Sequence, residues 1–291
     1  MNPARVVILG AKGFLAAELR RGLDQAGIFC RPIGSNEIDL TDANSVAKLS
    51  AVLQPADALV VTSALTPDKG RDPAMLLRNV AMAASVAASL ERAPCTHVVY
   101  ISSDAVYGSR SSLISEESAC ETGDLYGAAH IAREKVLADA CRRLAIPLVI
   151  LRPCAIFGPG DTHNSYGPNR FIRTALKDGK IVLFGGGEER RDHIYVWDVA
   201  GLVCRCILYR SAGVLNAVTG RARSFREVAE LVAASVGSSV VMDSLPRSGP
   251  VTHRHYDISA LARAFPDFEP LDFTHALVET VAGMRRIAGL A

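Results

Sequence analysis

Three side chains that can handle protons lie near the end of a predicted strand and the start of a predicted helix. Ser103 follows the apolar run HVVYIS (97–102), and Tyr126 and His130 lie in the segment LYGAAHIAREKVLADA. A spacing of four residues stacks the two rings on one helix face, one turn apart. A hydroxyl and a phenol can together bind one carbonyl or alcohol oxygen, one hydrogen-bonding it and the other transferring the proton. On this segment alone, a surface tyrosine beside an unrelated histidine is the simpler interpretation. The rest of the chain decides between this interpretation and a functional pair.

A glycine turn near the start of the chain predicts a binding site for a dinucleotide. In VVILGAKGFLAAEL, the residues Gly10, Gly13 and Ala16 fit the pattern G-x-x-G-x-x-A between a strand and a helix. Such a turn lets the backbone approach a pyrophosphate closely, and the helix N-terminus offers free N–H groups to the anion. An ordinary glycine turn is the alternative. The predicted cofactor contacts in this turn are Gly10, Lys12, Gly13, Phe14 and Leu15.

The second predicted strand ends without the acidic residue that usually binds the adenosine ribose of NAD. It runs into the segment IGSN (33–36), and acidic residues come only after that segment. A missing acid, together with Lys12 in the glycine loop, suits the additional 2′-phosphate of NADP. The sequence therefore favours NADP over NAD and leaves NAD open. Ser35, Asp39 and Leu40 complete the predicted cofactor contacts, although Asp39 and Leu40 fit a plain loop equally well.

The elements that must position these residues alternate along the first two hundred residues. Short apolar runs rich in β-branched residues are typical of parallel strands buried on both faces. These runs are RVVIL (5–9), IFCRPI (28–33), ALVVT (58–62), HVVYIS (97–102) and PLVILR (147–152). Helical patterns lie between them. In one of these, apolar residues recur at three- and four-residue steps, namely Leu76, Val80, Ala83, Ala87 and Leu90. The alternation predicts an α/β protein with a doubly wound parallel sheet.

The alternation loosens after residue 157, where the segment FGPGDTHNSYGPNR is rich in glycine, proline and asparagine and predicts a loop. The last seventy residues mix short helical patterns with loops. We therefore expect a dinucleotide-binding domain formed by residues 1–157 and 193–217. A smaller, discontinuous α/β substrate-binding lobe is expected from residues 158–192 and 218–291.

Composition narrows the class of protein. The chain has 291 residues, of which 49% are hydrophobic and 21% charged, with a formal net charge of +2. No block of like charges suggests binding to nucleic acid or to an anionic membrane. No uninterrupted apolar stretch reaches the roughly 18 residues of a membrane span, and the first residues lack the pattern of a signal peptide. We therefore expect a cytoplasmic protein with neither nucleic acid nor a membrane as its partner.

The seven cysteines are scattered and odd in number, which does not indicate a disulfide framework. Cys204 and Cys206 form a C-x-C pair inside an apolar run, with no second pair to complete a zinc site. We interpret them as buried thiols and expect no metal.

Taken together, the motifs resemble those of the extended short-chain dehydrogenases/reductases, in the nucleotide-sugar epimerase/dehydratase family. The resemblance covers almost the whole chain, and the order of the motifs is more specific than any one of them. It rests on GAKGFLA, DLTD (39–42), SSDAVYG (102–108), Tyr126, LRPCAIFGPGD (151–161), RDHIYVWDVA (191–200) and LNAVTG (215–220). It implies a Rossmann fold in which Ser103 is the catalytic hydroxyl and Tyr126 the acid/base.

The resemblance also implies the substrate contacts and the assembly. Asn169 and Arg191 fall where the family binds the nucleotide diphosphate of its substrate, and Arg247 is a further candidate for the same anion. A surface cation is the alternative for Arg191. His163 lies in the expected substrate loop and either touches the sugar or is solvated. The apolar helices around 76–91 and 126–144 resemble those that pair in family dimers, so we expect a homodimer.

One departure from the family pattern concerns His130, which stands where the family's Tyr-x-x-x-Lys motif has lysine. In the family that lysine holds the nicotinamide ribose, and its charge lowers the pKa of the tyrosine. A free tyrosine has a pKa near 10, so without a cation it stays protonated at neutral pH. Histidine can still donate to a ribose hydroxyl, and Glu134 one turn further on could stabilise an imidazolium. A protonated Tyr126 suits ketone reduction better than alcohol oxidation.

A second departure narrows the reaction. Family members that make 4-keto-6-deoxy sugars have an Asp-Glu pair after the catalytic hydroxyl, whereas this chain has Asp104 and Ala105, which disfavours 4,6-dehydration. The sequence therefore predicts an NADP- or NAD-dependent enzyme acting on a nucleotide-linked sugar, by 4-keto reduction or by epimerisation. The alternative is a fold retained for binding a dinucleotide or sugar nucleotide, with little or no turnover.

Overall fold

The computed structural model describes residues 3–108, 113–237 and 239–289. Its strands are β1 Arg5–Leu9, β2 Cys30–Ile33, β3 Asp57–Val61, β4 His97–Ile101, β5 Leu148–Pro153, β6 Ala155–Phe157, β7 Lys180–Phe184, β8 Arg190–Arg191, β9 His193–Tyr195, β10 Gly213–Ala217, β11 Arg223–Ser224 and β12 Val241–Leu245. Its α-helices are α1 Phe14–Gln25, α2 Ser45–Val52, α3 Pro73–Arg92, α4 Leu125–Arg143, α5 Pro168–Asp178, α6 Val196–Tyr209, α7 Phe225–Val236, α8 Ser259–Ala264 and α9 Phe273–Ala288.

The chain divides into two compact units. The first unit contains the residues up to Gly108, Ser118–Pro153 and Val199–Ala217. The second contains 113–117, Cys154–Asp198 and the residues from Val218 onward.

A six-stranded parallel sheet forms the centre of the first unit. Its strand order is β10-β5-β4-β3-β1-β2, and every neighbouring pair is parallel. The chain moves from β1 to β2 in one direction and from β3 through β4 to β5 in the other, so the winding reverses between β1 and β3. In such sheets ligands bind outside the carboxyl ends of the strands at this switch point. The predicted α/β class with a doubly wound parallel sheet is confirmed.

Both faces of this sheet are buried, as the continuous apolar runs predicted. Val6, Ile8 and Val60 are fully buried on one face. On the other face, Val98 and Tyr100 belong to a core cluster that includes residues of α2, α3 and α4. Because side chains alternate along a strand, Tyr100 points to the side where α4 packs. This alternation places a phenol in the layer between the sheet and the helix that carries Tyr126 and His130.

Helices α3 and α4 begin at residues that favour helix starts. Asp72 precedes Pro73 and accepts a hydrogen bond from the Met75 amide, while Asp124 accepts one from the Tyr126 amide. A side-chain cap of this kind stabilises a helix by about 1 kcal/mol. The cap at Asp124 fixes where α4 starts and thereby the position of Tyr126 in its first turn.

The buried face of helix α3 differs in part from the predicted one. Ala83, Ala87 and Leu90 are buried as predicted, whereas Leu76 and Val80 are half-buried. The buried face is completed instead by Met75, Asn79, Met82, Val86 and Ser89. A polar residue at position 79 was not expected in the core, and its partner on α4 is described below.

In the described part of the chain, α3 is also the helix long and apolar enough to cross a membrane, with a mean hydropathy of 1.3. Of that stretch, 44% is buried inside the protein, because the helix packs against α2 and α4.

The second unit has its own core, formed where α5, α7 and α9 pack with β7. Its short strands pair as β6 with β9, β8 with β11, and β7 with β12. Ser224 and Glu227 form a capping box at the start of α7, a signature of a helix N-terminus. Asp272 caps α9 by accepting from the amides of Thr274 and His275.

The division of the chain differs from the expected domain bounds at three places. Residues 113–117, 154–157 and 193–198 group with the second unit. Two pairings explain this grouping, since Ile114 forms a bridge with Tyr256 and β6 pairs with β9. The functional domain bounds themselves stay a prediction.

Candidate active site

The glycine turn after β1 is shaped for a close backbone approach. Gly10 has a φ of +94°, and a Cβ at this position would lie 2.8 Å from the amide nitrogen of Ser63, just after β3. Gly13 is the N-cap of α1, all of whose residues are described. No side chain caps this helix, and its first turn contains no acidic residue. The first amides of α1, including those of Phe14 and Leu15, therefore lack intrahelical partners. They are oriented to bind an anion.

Lys12 lies next to the segment that follows β2. Its Cγ is 3.9 Å from the position of a Cβ on Gly34, and the side-chain oxygen of Asn36 is 2.7 Å from the same position. Ser35 and Asn36 are exposed. Here Lys12 and two neutral polar side chains are available to a ligand.

Two further predicted cofactor contacts have structural partners of their own. The Asp39 carboxylate accepts hydrogen bonds from the amide and hydroxyl of Thr41, and these bonds lower its pKa. Leu40 is buried in the core cluster of the first unit, and its carbonyl accepts a bond from Ser85. Their contact with an adenine stays a prediction.

The start of α4 packs tightly against the turn that follows Ser103. A Cβ on Gly127 would overlap the carbonyl oxygen of Ala105 and the hydroxyl of Thr122. Ser103 itself accepts a hydrogen bond from the Ala105 amide, 3.1 Å away. Only glycine at position 127 permits this approach, and the approach brings Ser103 and Tyr126 together.

The Tyr126 phenol and the Ser103 hydroxyl interact in this arrangement. Burial raises the pKa of Tyr126 above its ordinary value, and Tyr100 and Asp104 raise it further. Arg133 and the hydrogen bond with Ser103 act in the opposite direction but do not offset burial. Tyr126 is therefore a protonated phenol at neutral pH, with a hydroxyl beside it.

His130 meets Tyr126 as the helical spacing predicted, but it also has a partner on the sheet. The ring centroids of Tyr126 and His130 are 4.6 Å apart and the rings are edge to face. The Nδ1 atom of His130 lies 2.7 Å from the Tyr100 hydroxyl. The imidazole is only 2% exposed, and its Nε2 atom is buried without a hydrogen-bond partner among the described residues.

The prediction that Glu134 stabilises an imidazolium at His130 is wrong. Glu134 instead binds Arg152 through both carboxylate oxygens, at 3.0 and 2.6 Å, and accepts a bond from Ser102 at 2.5 Å. Burial, with a smaller contribution from Arg133, lowers the pKa of His130 well below its ordinary value. His130 is therefore a neutral imidazole.

Sequence reasoning missed Arg133, a cation whose charge acts on both Tyr126 and His130. Its side chain is fully buried and donates to the Ser63 carbonyl at 2.5 Å and to the Asn79 side-chain oxygen at 2.9 Å. Its guanidinium carbon lies 5.2 Å from the centroid of the Tyr100 ring. The signal was present in the sequence, because Arg133 follows Tyr126 by seven residues and so lies on the same helix face two turns on.

The two predicted arginines of the second unit share one carboxylate. Arg247 lies 3.3 Å and Arg191 4.0 Å from the same oxygen of Glu189. Arg191 also donates to the carbonyl and hydroxyl of Thr252, at 2.6 and 2.9 Å. Arg247 donates to Glu188 at 2.6 Å. The structure thus gathers two guanidinium groups in one place, with acidic side chains that balance them.

The other two predicted substrate residues lie around α5. Asn169 is buried, and its side-chain oxygen accepts a bond from the Gly158 amide at 3.1 Å. His163 is half-buried in the loop before α5, and its amide donates to Asp161. Asn169 therefore holds a loop in place, and a sugar contact by either residue stays a prediction.

The residues of the first unit fit a dinucleotide. The turn at Gly10 leaves no room for a side chain, the first amides of α1 are open, and Nε2 of His130 is a buried polar atom with no partner in the described part of the chain. Fold and site together define a dinucleotide-binding protein of the doubly wound class.

The chain belongs to the NAD dependent epimerase/dehydratase family, whose profile matches residues 6–217. A curated relative, ADP-L-glycero-D-manno-heptose-6-epimerase of Pseudomonas paraeruginosa (strain DSM 24068 / PA7), is 30% identical over 185 residues. That match covers 57% of this chain and 54% of the relative. The matched stretches span about a third to a half of the length of the curated relatives.

Solved structures resemble the whole chain in fold. The UDP-N-acetylglucosamine 4-epimerase from Methanobrevibacter ruminantium M1, in complex with UDP-N-acetylmuramic acid, has a TM-score of 0.86 at 23% identity. The similarity covers 99% of this chain and all of that one. The UDP-glucose 4-epimerase of Thermus thermophilus, in complex with NAD, has a TM-score of 0.85 at 21% identity, covering 97% and 99% of the two chains.

Proposed function

We propose that this protein is an NAD(P)-dependent oxidoreductase or epimerase that acts on a nucleotide-linked sugar. The observation that carries the proposal is the interaction of the Ser103 hydroxyl with the Tyr126 phenol, at the carboxyl end of the same sheet as the glycine turn. Family membership and the sugar-nucleotide complexes of the similar structures support the substrate class.

In the proposed reaction Ser103 donates a hydrogen bond to a carbonyl oxygen of the sugar and Tyr126 transfers a proton to the same oxygen. A bound nicotinamide supplies the hydride chemistry. Phe14 and Leu15 offer their amides to the pyrophosphate, and the Nε2 atom of His130 donates to a hydroxyl of the nicotinamide ribose.

Keto reduction suits the site better than alcohol oxidation. Reduction needs a phenol that can donate its proton, and burial keeps Tyr126 protonated. Oxidation, the first half of an epimerisation, needs the phenolate. Ala105 carries no carboxyl group, so we do not propose 4,6-dehydration.

The cofactor is proposed to be NADP, on the strength of Lys12 beside Gly34 and the neutral side chains around it. A 2′-phosphate there would find a cation and no acidic side chain in the segment 33–36. Glu37, the next acid along the chain, is paired with Arg31. NAD remains the alternative, and a similar epimerase structure contains it.

The substrate's nucleotide end is proposed to bind Arg191 and Arg247, with Asn169 and His163 as further contacts. Two guanidinium groups that share Glu189 can exchange this carboxylate for a diphosphate, since Arg binds both anions in the same bidentate manner. A cytoplasmic homodimer, with no nucleic acid, membrane or metal as partner, completes the proposal.

A second candidate is a protein that binds a dinucleotide or sugar nucleotide with little turnover. The neutral His130 favours it, because a neutral imidazole adds no positive charge to lower the pKa of Tyr126, and Arg133 alone does not offset burial. Two measurements separate the candidates. Nucleotide released from the denatured protein identifies a retained cofactor, and oxidation of NADPH or NADH is then followed with UDP-, GDP- and dTDP-linked 4-keto sugars.

Consumption of reduced cofactor that depends on a keto sugar supports the reductase. A tightly held oxidised cofactor with interconversion of sugar epimers supports the epimerase. Binding of either nucleotide without turnover supports the second candidate, and binding of neither overturns both.

A further inference from the structure

The His130 ring has one partnered and one unpartnered nitrogen, and the difference determines what it can offer a ligand. Its Nδ1 atom lies 2.7 Å from the Tyr100 hydroxyl, whereas Nε2 is buried with no partner among the described residues. A neutral imidazole has one donor and one acceptor nitrogen. The direction of the Tyr100 hydrogen bond therefore sets which proton-bearing form of His130 is present.

Arg133 determines that direction. The guanidinium carbon of Arg133 lies 5.2 Å from the centroid of the Tyr100 ring, and its positive charge acts to lower the pKa of Tyr100. A cation attracts the phenol oxygen and repels the hydroxyl proton, so this proton is directed to Nδ1 of His130, 2.7 Å away. Burial raises the pKa of Tyr100 to about 12, so this proton is retained at neutral pH.

The charge of Arg133 is not balanced by a carboxylate. Its hydrogen bonds go to the carbonyl of Ser63, the carbonyl and side-chain oxygen of Asn79 and the sulfur of Met82, all of them neutral. None of the ion pairs found among the described residues includes Arg133, and the adjacent Glu134 is paired with Arg152. A buried cation without a counter-ion is costly unless it serves another group. This one lies beside the ring of Tyr100, whose hydroxyl bonds to His130.

We propose that Arg133 and Tyr100 are positioning residues that hold His130 as a neutral imidazole with its proton on Nε2. The resulting N–H donor is fixed in direction and addresses an oxygen acceptor of the bound dinucleotide, a ribose hydroxyl. The identity of the ligand in this inference rests on the proposed function. The protonation state of the His130 ring does not. The opposite form would point the Nδ1 proton at the Tyr100 oxygen and leave the Tyr100 proton without an acceptor among the described residues.

The test measures the His130 ring directly, by nitrogen NMR of the full chain labelled with ¹⁵N-histidine and without cofactor. The His130→Gln variant assigns the signals. We expect the proton on Nε2 and no titration through the ordinary histidine pKa of about 6.5. A proton on Nδ1, or an imidazolium near neutral pH, would overturn the proposal.

Tyr100→Phe removes the donor and is expected to leave His130 as a mixture of both neutral forms. Its affinity for the cofactor, measured by calorimetry, should fall roughly three- to tenfold, the effect of one hydrogen bond. Tyr107→Phe is the matched control, because Tyr107 is equally buried but bonds to Asn216 and Arg152. It should leave the His130 signals unchanged. Unchanged signals in Tyr100→Phe would contradict the inference.

Arg133→Gln removes the charge and Arg133→Lys restores it. We expect mixed ring forms in the first and recovery of the Nε2 form in the second. If Arg133→Gln does not fold, the spectra of wild type and Tyr100→Phe still decide whether Tyr100 holds the His130 proton on Nε2. A protein that binds no dinucleotide but shows the Nε2 form would refute the proposed function and leave the ring assignment intact.

Discussion

The imidazole of His130 stands edge-on to the phenol ring of Tyr126, with centroids 4.6 Å apart. One helical turn explains their contact, but not their chemistry. His130 is neutral because burial and Arg133 disfavour its charge, and Tyr126 is protonated because burial disfavours the phenolate. The pair is therefore suited to give hydrogen bonds and a proton to an oxygen.

Tyr126→Phe is expected to reduce kcat by about 10² to 10⁴-fold, the usual contribution of a positioned acid. Its free energy of unfolding should change little, since only a hydroxyl is lost. Ser103→Ala should lower kcat by roughly 10²-fold, as loss of one donor to a reacting oxygen does. Steady-state kinetics with chemical denaturation as control measure both, and full activity in Tyr126→Phe would remove Tyr126 from the reaction.

Gly127→Ala tests the close approach that brings Ser103 and Tyr126 together. The added Cβ would overlap the Ala105 carbonyl oxygen, so α4 or the turn must move. We expect a destabilisation of about 1–3 kcal/mol and a fall in kcat larger than any rise in KM. Gly123→Ala, where a Cβ meets open space, is the control and should behave as wild type.

Lys12→Ala should weaken NADPH binding more than NADH binding. The ammonium group of Lys12 would lose a charge-assisted contact with the 2′-phosphate, worth about 1.5–3 kcal/mol. Calorimetric titration with both reduced nucleotides measures the difference, and Lys48→Ala, on the exposed side of α2, controls for net charge. Equal losses for the two nucleotides would contradict the assignment of NADP.

His130→Lys restores the residue of the family motif but places a second cation beside Arg133. Burying a like charge there should destabilise the protein by roughly 3 kcal/mol or more. Combining it with Arg133→Met should recover part of this loss, which a double-mutant cycle measures as a coupling energy. If His130→Lys leaves the stability, the rate and the pH optimum unchanged, the account of His130 as a buried neutral donor is wrong.

His193 is expected to make the folded protein less stable at acidic pH. Burial lowers its pKa from 6.5 to about 3, with further lowering by Arg191 and Arg223. Between these values the unfolded chain binds the proton that the folded chain excludes, so stability falls as the pH decreases through 6.5. From pH 7 to pH 5 this group should contribute a loss of about 2 kcal/mol.

The comparison for this prediction is His193→Leu. Urea unfolding at pH 7 and pH 5 should show a smaller loss in the variant than in wild type. The exposed His275→Leu should retain the full wild-type loss. Identical pH dependence in His193→Leu and wild type would show that His193 does not carry this effect.

Local sequence predicted the strands of the central sheet, the glycine turn and the face shared by Tyr126 and His130. Each strand is marked by its own apolar run, and the turn and the shared face depend on nearby residues, through the φ of Gly10, the cap at Asp124 and the four-residue helical step. The five predicted strands agree with β1 to β5 within two residues. Backbone geometry acts over such short distances, so composition and spacing suffice to predict it.

Only the tertiary structure decided which charged and polar groups meet. Glu134 was expected to pair with His130 one turn away, but it pairs with Arg152 on β5. Asn79 is buried because Arg133 reaches it from α4, and Tyr100 meets His130 from β4. These pairings join different elements, and buried charges select partners by three-dimensional proximity and desolvation. Spacing along the chain therefore predicted the contact between the two rings, and packing across the core fixed their protonation.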